Sequence, residues 1–245
     1  MQFRARRPTI LSWQKGRSKT ARDLTCVPLR RPSSVFDRRV GRCKADFAAA
    51  HPTFCTIRLA EGARGVRLEA EARVALVIYS DFECPFCARF ANDTWPALDG
   101  KYVATGKVRT VFRHLPLEKI HSSAVKAAEA TECAGQQGQF WPMHDVLFKN
   151  TKELGEASLF SYAQQIRLDV PAFQSCLKGM TTAKVRADAA AASALGITGT
   201  PAFLLGTIQP DGRVKVTERI AGARPLAAFE TAIDKVLATS LSGTK

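Results

Sequence analysis

The chain has 245 residues, 46% hydrophobic and 24% charged, enough for one core of ordinary size or a domain with a smaller insertion, which excludes a disulfide-held miniprotein. No stretch approaches the roughly 20 consecutive apolar residues of a membrane-spanning helix, so the body is expected to be soluble and not an integral membrane protein. The net charge of +14 is unevenly placed: residues 1–60 hold fourteen Lys and Arg against three acids (Asp23, Asp37 and Asp46), a net of +11, while the rest hold 22 basic and 19 acidic residues, a net of +3. A basic surface spread over the whole body is thereby excluded, and no specific nucleic-acid partner is expected.

Residues 1–60 lack both periodicity and a core pattern, and like charges in a block repel, so they read as a disordered basic arm. An arm for an anionic partner and a start codon placed too far upstream are the other readings of the same composition. Residues 47–57 are uncharged but broken by His51 and Pro52, and do not read as a secretory signal. Cys26, Cys43 and Cys55 fall in this arm without a framework of spacings and take no role.

From residue 66 the pattern is legible. A short strand is expected at 66–68, and the apolar, β-branched run at 73–80 predicts a buried central strand. A helix follows from 85 to about 104, with Pro96 marking a kink or a fresh start. Residues 107–114 alternate with period two, which predicts a second strand, half exposed or near an edge. Residues 117–195 carry almost no strand signal and predict helices from Ser122 or Ser123 to Cys133, then at 140–148, 158–167, 170–177 (Pro171 in the first turn) and 181–195. Strands return at 201–205 and 214–220, joined by a hairpin turn at Gln209-Pro210-Asp211-Gly212, and a helix at 225–238 closes the chain. The order is β, α, β, helical block, β, β, α.

The chemistry centres on Cys84-Pro85-Phe86-Cys87, a C-x-x-C directly after a buried strand and at the first turn of a helix. Free amides and the helix dipole at such a turn favour Cys84 as a thiolate. Two cysteines at this spacing can close a disulfide across one turn, with the outer sulfur exposed and the inner one shielded. A zinc site would need four ligands, and no second C-x-x-C or C-x-x-H follows; His114, His121 and His144 are scattered. Two inert buried thiols are the other alternative, disfavoured by the strand-turn-helix context. More than a hundred residues later, Gly199-Thr200-Pro201-Ala202-Phe203 opens a strand with proline. A cis Thr200–Pro201 bond there would present the polar groups of Thr200, while a trans proline in a loop is the plainer reading.

Four segments in order now resemble a family: Ser80-Asp81-Phe82-Glu83-Cys84-Pro85-Phe86-Cys87, Arg113-His114-Leu115-Pro116-Leu117, Gln137-Gly138-Gln139-Phe140-Trp141 with Met143-His144-Asp145, and Gly199-Thr200-Pro201-Ala202-Phe203. Together, over about residues 64–240, they are similar to the DsbA-like branch of the thioredoxin superfamily. The resemblance implies an α/β protein, a thioredoxin fold (61–116 and 196–245) with an inserted all-helical domain (117–195). It also implies Cys84 as nucleophile, Cys87 as resolving thiol and Pro201, after Thr200, as a cis-proline beside them. The implied activity is that of an exported, periplasmic or extracytoplasmic, thiol-disulfide oxidoreductase acting on cysteine-containing polypeptides. No cofactor is called for, because the cysteines carry the electrons, but a redox partner must recycle the pair, such as a membrane quinone-linked oxidase or a reductase. In some relatives a second disulfide joins positions comparable to Cys133 and Cys176; two buried free thiols are the alternative.

The chain departs from the family's best-known oxidase in having Phe86 where that oxidase has histidine, and in lacking a recognisable signal. His114 and His144 sit in motifs that packing explains, Phe140 and Trp141 read as core of the helical block, and Glu83 either influences Cys84 or is an exposed charge. A binding module of the same fold, a peptide-holding chaperone or soft-metal carrier with a redox-idle cysteine pair, is the rival function. Thioredoxin-like domains fused to sodium/proton antiporters resemble this sequence too; with no membrane span in it, the expectation is a chain that is not such a fusion.

Overall fold

The computed structural model describes residues 24–26, 55–58, 65–67, 72–179 and 182–242. Among the described residues seven strands form one sheet in the order β1-β2-β7-β6-β4-β5-β3. These are β1 (Leu24–Cys26), β2 (Cys55–Arg58), β3 (Val66–Arg67), β4 (Val74–Ser80), β5 (Val108–His114), β6 (Ala202–Ile208) and β7 (Arg213–Ala221). The α/β architecture expected from the sequence is therefore present, with five helices inserted between β5 and β6.

β4 is the axis of the sheet. All seven of its residues are buried, and it pairs in parallel with β5 and antiparallel with β6. Because successive strand side chains point to opposite faces, Val74, Leu76 and Ile78 enter one core with Phe90, Trp95, Phe203 and Phe229. Ala75, Val77 and Tyr79 enter another on the opposite face, with Ala192, Leu195 and Ile197. An apolar run buried on both faces needs no polar alternation, which is why 73–80 reads as it does.

β5 is more buried than its period-two pattern suggests: only Arg109 and Arg113 are partly exposed. β3 pairs with its outer edge, and the guanidinium of Arg113 is held at 2.8 Å by Asp188 of helix α7 (Thr182–Ala194). Arg113, one of the two partly exposed positions of the pattern, is thus a partner of the helical block.

After β4, helix α1 (Pro85–Arg89) does not run on as one α-helix. It passes through a π-helical turn (Phe90–Thr94), α2 (Trp95–Leu98) and a second π-helical turn (Asp99–Val103). Pro96 has no amide to donate, and the amide before it, that of Trp95, reaches back to the carbonyl of Phe90. The expected disturbance at Pro96 is a widening of the helix on either side of it.

The inserted helices are α3 (Ala124–Gln136), α4 (Phe140–Lys149), α5 (Glu156–Gln165), α6 (Val170–Lys178) and α7, and α8 (Leu226–Ser242) follows β7. Asp169 caps α6 by accepting from Ala172 N at 2.9 Å, with Pro171 in the first turn. A disulfide joins Cys133 of α3 to Cys176 of α6. The third core, from Ala127 and Met143 to Phe173 and Val185, fills the space between these helices and reaches Phe82, Cys84 and Cys87.

The hairpin between β6 and β7 turns at Pro210-Asp211-Gly212. Gly212 adopts φ +75°, its amide donates to Gln209 O at 2.9 Å, and Arg213 N donates to Asp211 Oδ1 at 3.0 Å. β1 and β2 lie inside the segment read from sequence as a disordered arm. There β2 pairs with β7, and Ile57, 5% exposed, joins the core against Val214. That is a correction for these two stretches: an alternating Cys55-Thr56-Ile57-Arg58 next to the free edge of β7 gains a ladder and an apolar contact. The rest of the arm, Cys43 included, lies outside the described residues.

Candidate functional site

The register of the sheet assembles the site. The last β4–β6 pair is Tyr79 with Ala202, so the turn that follows Ser80 and the Thr200–Pro201 peptide that precedes Ala202 meet at the same end of the sheet. That peptide is cis. Cys84 stands at the N-cap of α1 with extended backbone, Pro85 occupies the first helical turn, and Ala88 N donates to Cys84 O at 3.0 Å. Across 116 residues of sequence, the Cys84 thiol donates to Thr200 O at 3.6 Å.

Cys84 and Cys87 are both unbridged and buried, at 4% and 0% exposure. The expectation of an exposed outer sulfur is not met: both cysteines are shielded, and the two differ in their chemistry instead. Cys84 is lowered from 9.0 to about 5, first by the hydrogen bond from Cys87, against the cost of burial, then by Thr200 and the amides of Cys87 and Phe86. Cys87 is driven the other way, well above 9.0, by burial first and then by the hydrogen bond and negative charge of Cys84, with Ser80 and Thr200 opposing. Charge on one sulfur holds the proton on the other. Among the described residues Thr200 Oγ1 is buried without a hydrogen-bond partner, so its hydroxyl is available to donate to a sulfur that ionises.

The acids around the turn have defined work. Asp81, 2% exposed, accepts from Glu83 N at 2.8 Å through Oδ1, and from Leu117 N at 2.8 Å and His121 Nδ1 at 2.7 Å through Oδ2. Glu83 is not a free surface charge: its Oε2 accepts from Ser123 N at 2.7 Å, at the N-cap of α3. The side chain of Ser123 makes no cap bond, so the first turn of that helix is served from the redox turn instead. Phe82 is buried, stacked on Phe112 at 5.4 Å and tilted against Phe148 at 4.7 Å, which ties the turn to the helical block.

His114 and His144 lie in that aromatic cluster, not at the sulfurs. His144 packs against Phe112 and Phe148 at 5.2 and 4.8 Å, and burial lowers its pKa despite Asp145. His114 Nε2 meets Glu132 at 3.0 Å in a buried network with Lys184. Phe140 is buried beside Phe112, while Trp141 is half-buried, stacked on Trp95 at 5.8 Å. Among the described residues no group of three or more His, Cys, Asp or Glu gathers in a way that could hold a metal ion. Sequence reasoning met Asp81 only within the first family segment and His121 only as a scattered metal-ligand candidate, and did not pair the two, which are 40 residues apart.

The family model described as Thioredoxin matches residues 66–222. The chain belongs to this thioredoxin family. Its fold is the DsbA-like form. Wolbachia pipientis alpha-DsbA1 superposes with a TM-score of 0.64 at 23% identity, covering 74% of this chain and 94% of that one. BdbD from Bacillus subtilis superposes with a TM-score of 0.63 at 19% identity, covering 74% and 96%. Among curated proteins, the Na(+)/H(+) antiporter NhaA 3 of Salinispora tropica is 38% identical over 168 residues, which is 68% of this chain and 25% of the antiporter. NhaA 1 of Salinispora arenicola is 37% identical over 167 residues, covering 65% and 25%. This thioredoxin-family chain spans about a quarter of the length of those relatives, and no helix among its described residues is long and apolar enough to cross a membrane.

Proposed function

We propose that this protein is a thiol-disulfide oxidoreductase that exchanges disulfides with cysteines of other polypeptides through Cys84 and Cys87. The observation that carries the reading is the opposite perturbation of the two sulfurs, one lowered to about 5 and the other raised, at the N-terminus of α1 and beside Thr200 and Pro201. A redox-idle pair in a chaperone or metal carrier has no use for that asymmetry.

In the oxidising direction a substrate thiolate attacks Cys84 Sγ of the Cys84–Cys87 disulfide. The S–S bond breaks, its electron pair leaves on Cys87, which takes a proton, and a mixed disulfide joins substrate to Cys84. A second substrate thiolate attacks the substrate sulfur of that mixed disulfide and expels Cys84 as a stabilised thiolate. The substrate has lost two electrons and the pair has gained them; a partner of disulfide or quinone chemistry takes them away.

Phe86 and Ile120, at 55% and 73%, are the large apolar side chains exposed among the described residues. Both belong to segments that carry the site, which supports a polypeptide as substrate. The Cys133–Cys176 disulfide supports an oxidising, extracytoplasmic compartment. The identity to the two Salinispora antiporters favours a second setting for the same chemistry, in which the redox domain works beside a cation/proton antiporter.

Reduction of insulin by dithiothreitol and oxidative refolding of a reduced protein test the reading together. Wild-type protein is expected to accelerate at least one, and Cys84→Ser neither. A wild type inert in both assays, yet holding unfolded peptides equally well with Cys84→Ser, favours the binding module instead.

A further inference from the structure

The segment that follows β5 is pinned to the redox turn from both of its acids. Asp81 holds Leu117 N and His121 Nδ1 through one carboxylate oxygen, and Glu83 holds Ser123 N. Asp81 also accepts from the backbone of the turn itself, Glu83 N to its Oδ1 at 2.8 Å and Cys84 N to its carbonyl at 3.2 Å. His121 is therefore fixed by a buried acceptor that in turn shapes the approach to Cys84, and its side chain is only 15% exposed.

The dipeptide between the cysteines contributes no cation and no side-chain donor. The nearest basic residue along α1, Arg89, has its guanidinium over the Phe86 ring at 5.3 Å. The redox turn itself brings two acids, Asp81 and Glu83, which by themselves disfavour a further negative charge on Cys84.

We propose that His121, held by Asp81, is a positioning residue of the redox pair, supplying as an imidazolium the positive charge that favours the Cys84 thiolate. The groups that act on the ring agree with this. Burial by itself works against a charged imidazole, but the hydrogen bond and charge of Asp81, with the charges of Cys84 and Glu83, together outweigh it, and the His121 pKa is raised. Glu118 and Lys119, its neighbours on the same segment, carry opposite charges. The inference rests on Cys84 and Cys87 being a redox pair, and it gives this chain a cation outside the C-x-x-C in place of one inside it.

A strut and an electrostatic partner differ in one measurable respect. Linkage is reciprocal: if the His121 charge favours the thiolate, the thiolate must favour the His121 charge by the same factor. Nuclear magnetic resonance titration of His121 in wild-type protein should therefore give a higher midpoint in the reduced than in the oxidised form. Thiolate absorbance should show the Cys84 midpoint rising in His121→Gln by about half to one pH unit, a threefold to tenfold fall in the ratio of thiolate to thiol, with His121→Lys restoring it. The wild-type comparison holds even where a variant folds poorly. Equal His121 midpoints in the two redox states, in a protein that cycles normally with glutathione, overturn the inference alone. A wild type that does not cycle with glutathione at all overturns the redox reading and this inference with it.

Discussion

The sulfur of Cys84 lies 3.6 Å from the carbonyl oxygen of Thr200, 116 residues further along the chain. The contact exists because β4 and β6 are antiparallel neighbours whose pairing ends at Tyr79 and Ala202. It places the Thr200 hydroxyl where both sulfurs feel it.

Thr200→Val removes that hydroxyl with little change in volume. A hydrogen bond to a charged group contributes about 1.5 to 3 kcal/mol, so the Cys84 midpoint should rise by about one to two pH units. The pH dependence of alkylation by iodoacetamide measures it. An unchanged midpoint means that the hydroxyl plays no part in holding the thiolate.

Glu132 makes stability depend on acid. Burial alone would raise its pKa, but His114 at 3.0 Å and Lys184 at 3.3 Å bring it from 4.5 down to about 2. A carboxyl with a depressed folded pKa contributes its full stabilisation above its unfolded value and loses it as pH falls through the folded one, here between about 4.5 and about 2. The gap corresponds to about 3 kcal/mol. Urea unfolding at pH 6 and pH 3 should show wild type losing more stability than Glu132→Gln over that interval. Parallel losses in the two proteins mean that the network does not act through Glu132.

Ile57 ties the N-terminal segment to the sheet. It is 5% exposed and registered with Val214 of β7. Ile57→Ala should cost about 2 kcal/mol, as for truncation of a buried aliphatic side chain. Removal of residues 1–60 should lower the denaturation midpoint at least as far, because it also bares the β7 edge. A truncated protein as stable as the full chain means that β2 contributes nothing to the fold.

These outcomes mark what the sequence could and could not disclose. The β4 run, Cys84-Pro85-Phe86-Cys87 and the Pro210-Asp211-Gly212 turn were legible because their chemistry is local: period, cap and turn each depend on neighbours within a few residues. The helices of the inserted block were legible for the same reason. Asp81 and His121 were not, because a hydrogen bond across 40 residues leaves no spacing to read. Ile57 was hidden by the charge of the segment around it, since composition averages over sixty residues and a four-residue strand does not alter the average. The two π-helical turns around Pro96 were visible only as a break, because a missing amide says where a helix is disturbed and not how the chain recovers.

The central claim is that Cys84 is the sulfur that exchanges with substrate, and trapping tests it most directly in the reducing direction, where the Cys84 thiolate attacks a substrate disulfide and Cys87 resolves the mixed disulfide. Incubation of the reduced protein with a disulfide-bearing polypeptide, followed by acid quenching and mass spectrometry without reduction, counts covalent complexes. Cys87→Ser should accumulate mixed disulfides through Cys84, because attack is preserved while resolution is lost, and Cys84→Ser should accumulate few. Equal or greater trapping by Cys84→Ser would contradict the account, reversing the roles of the two sulfurs.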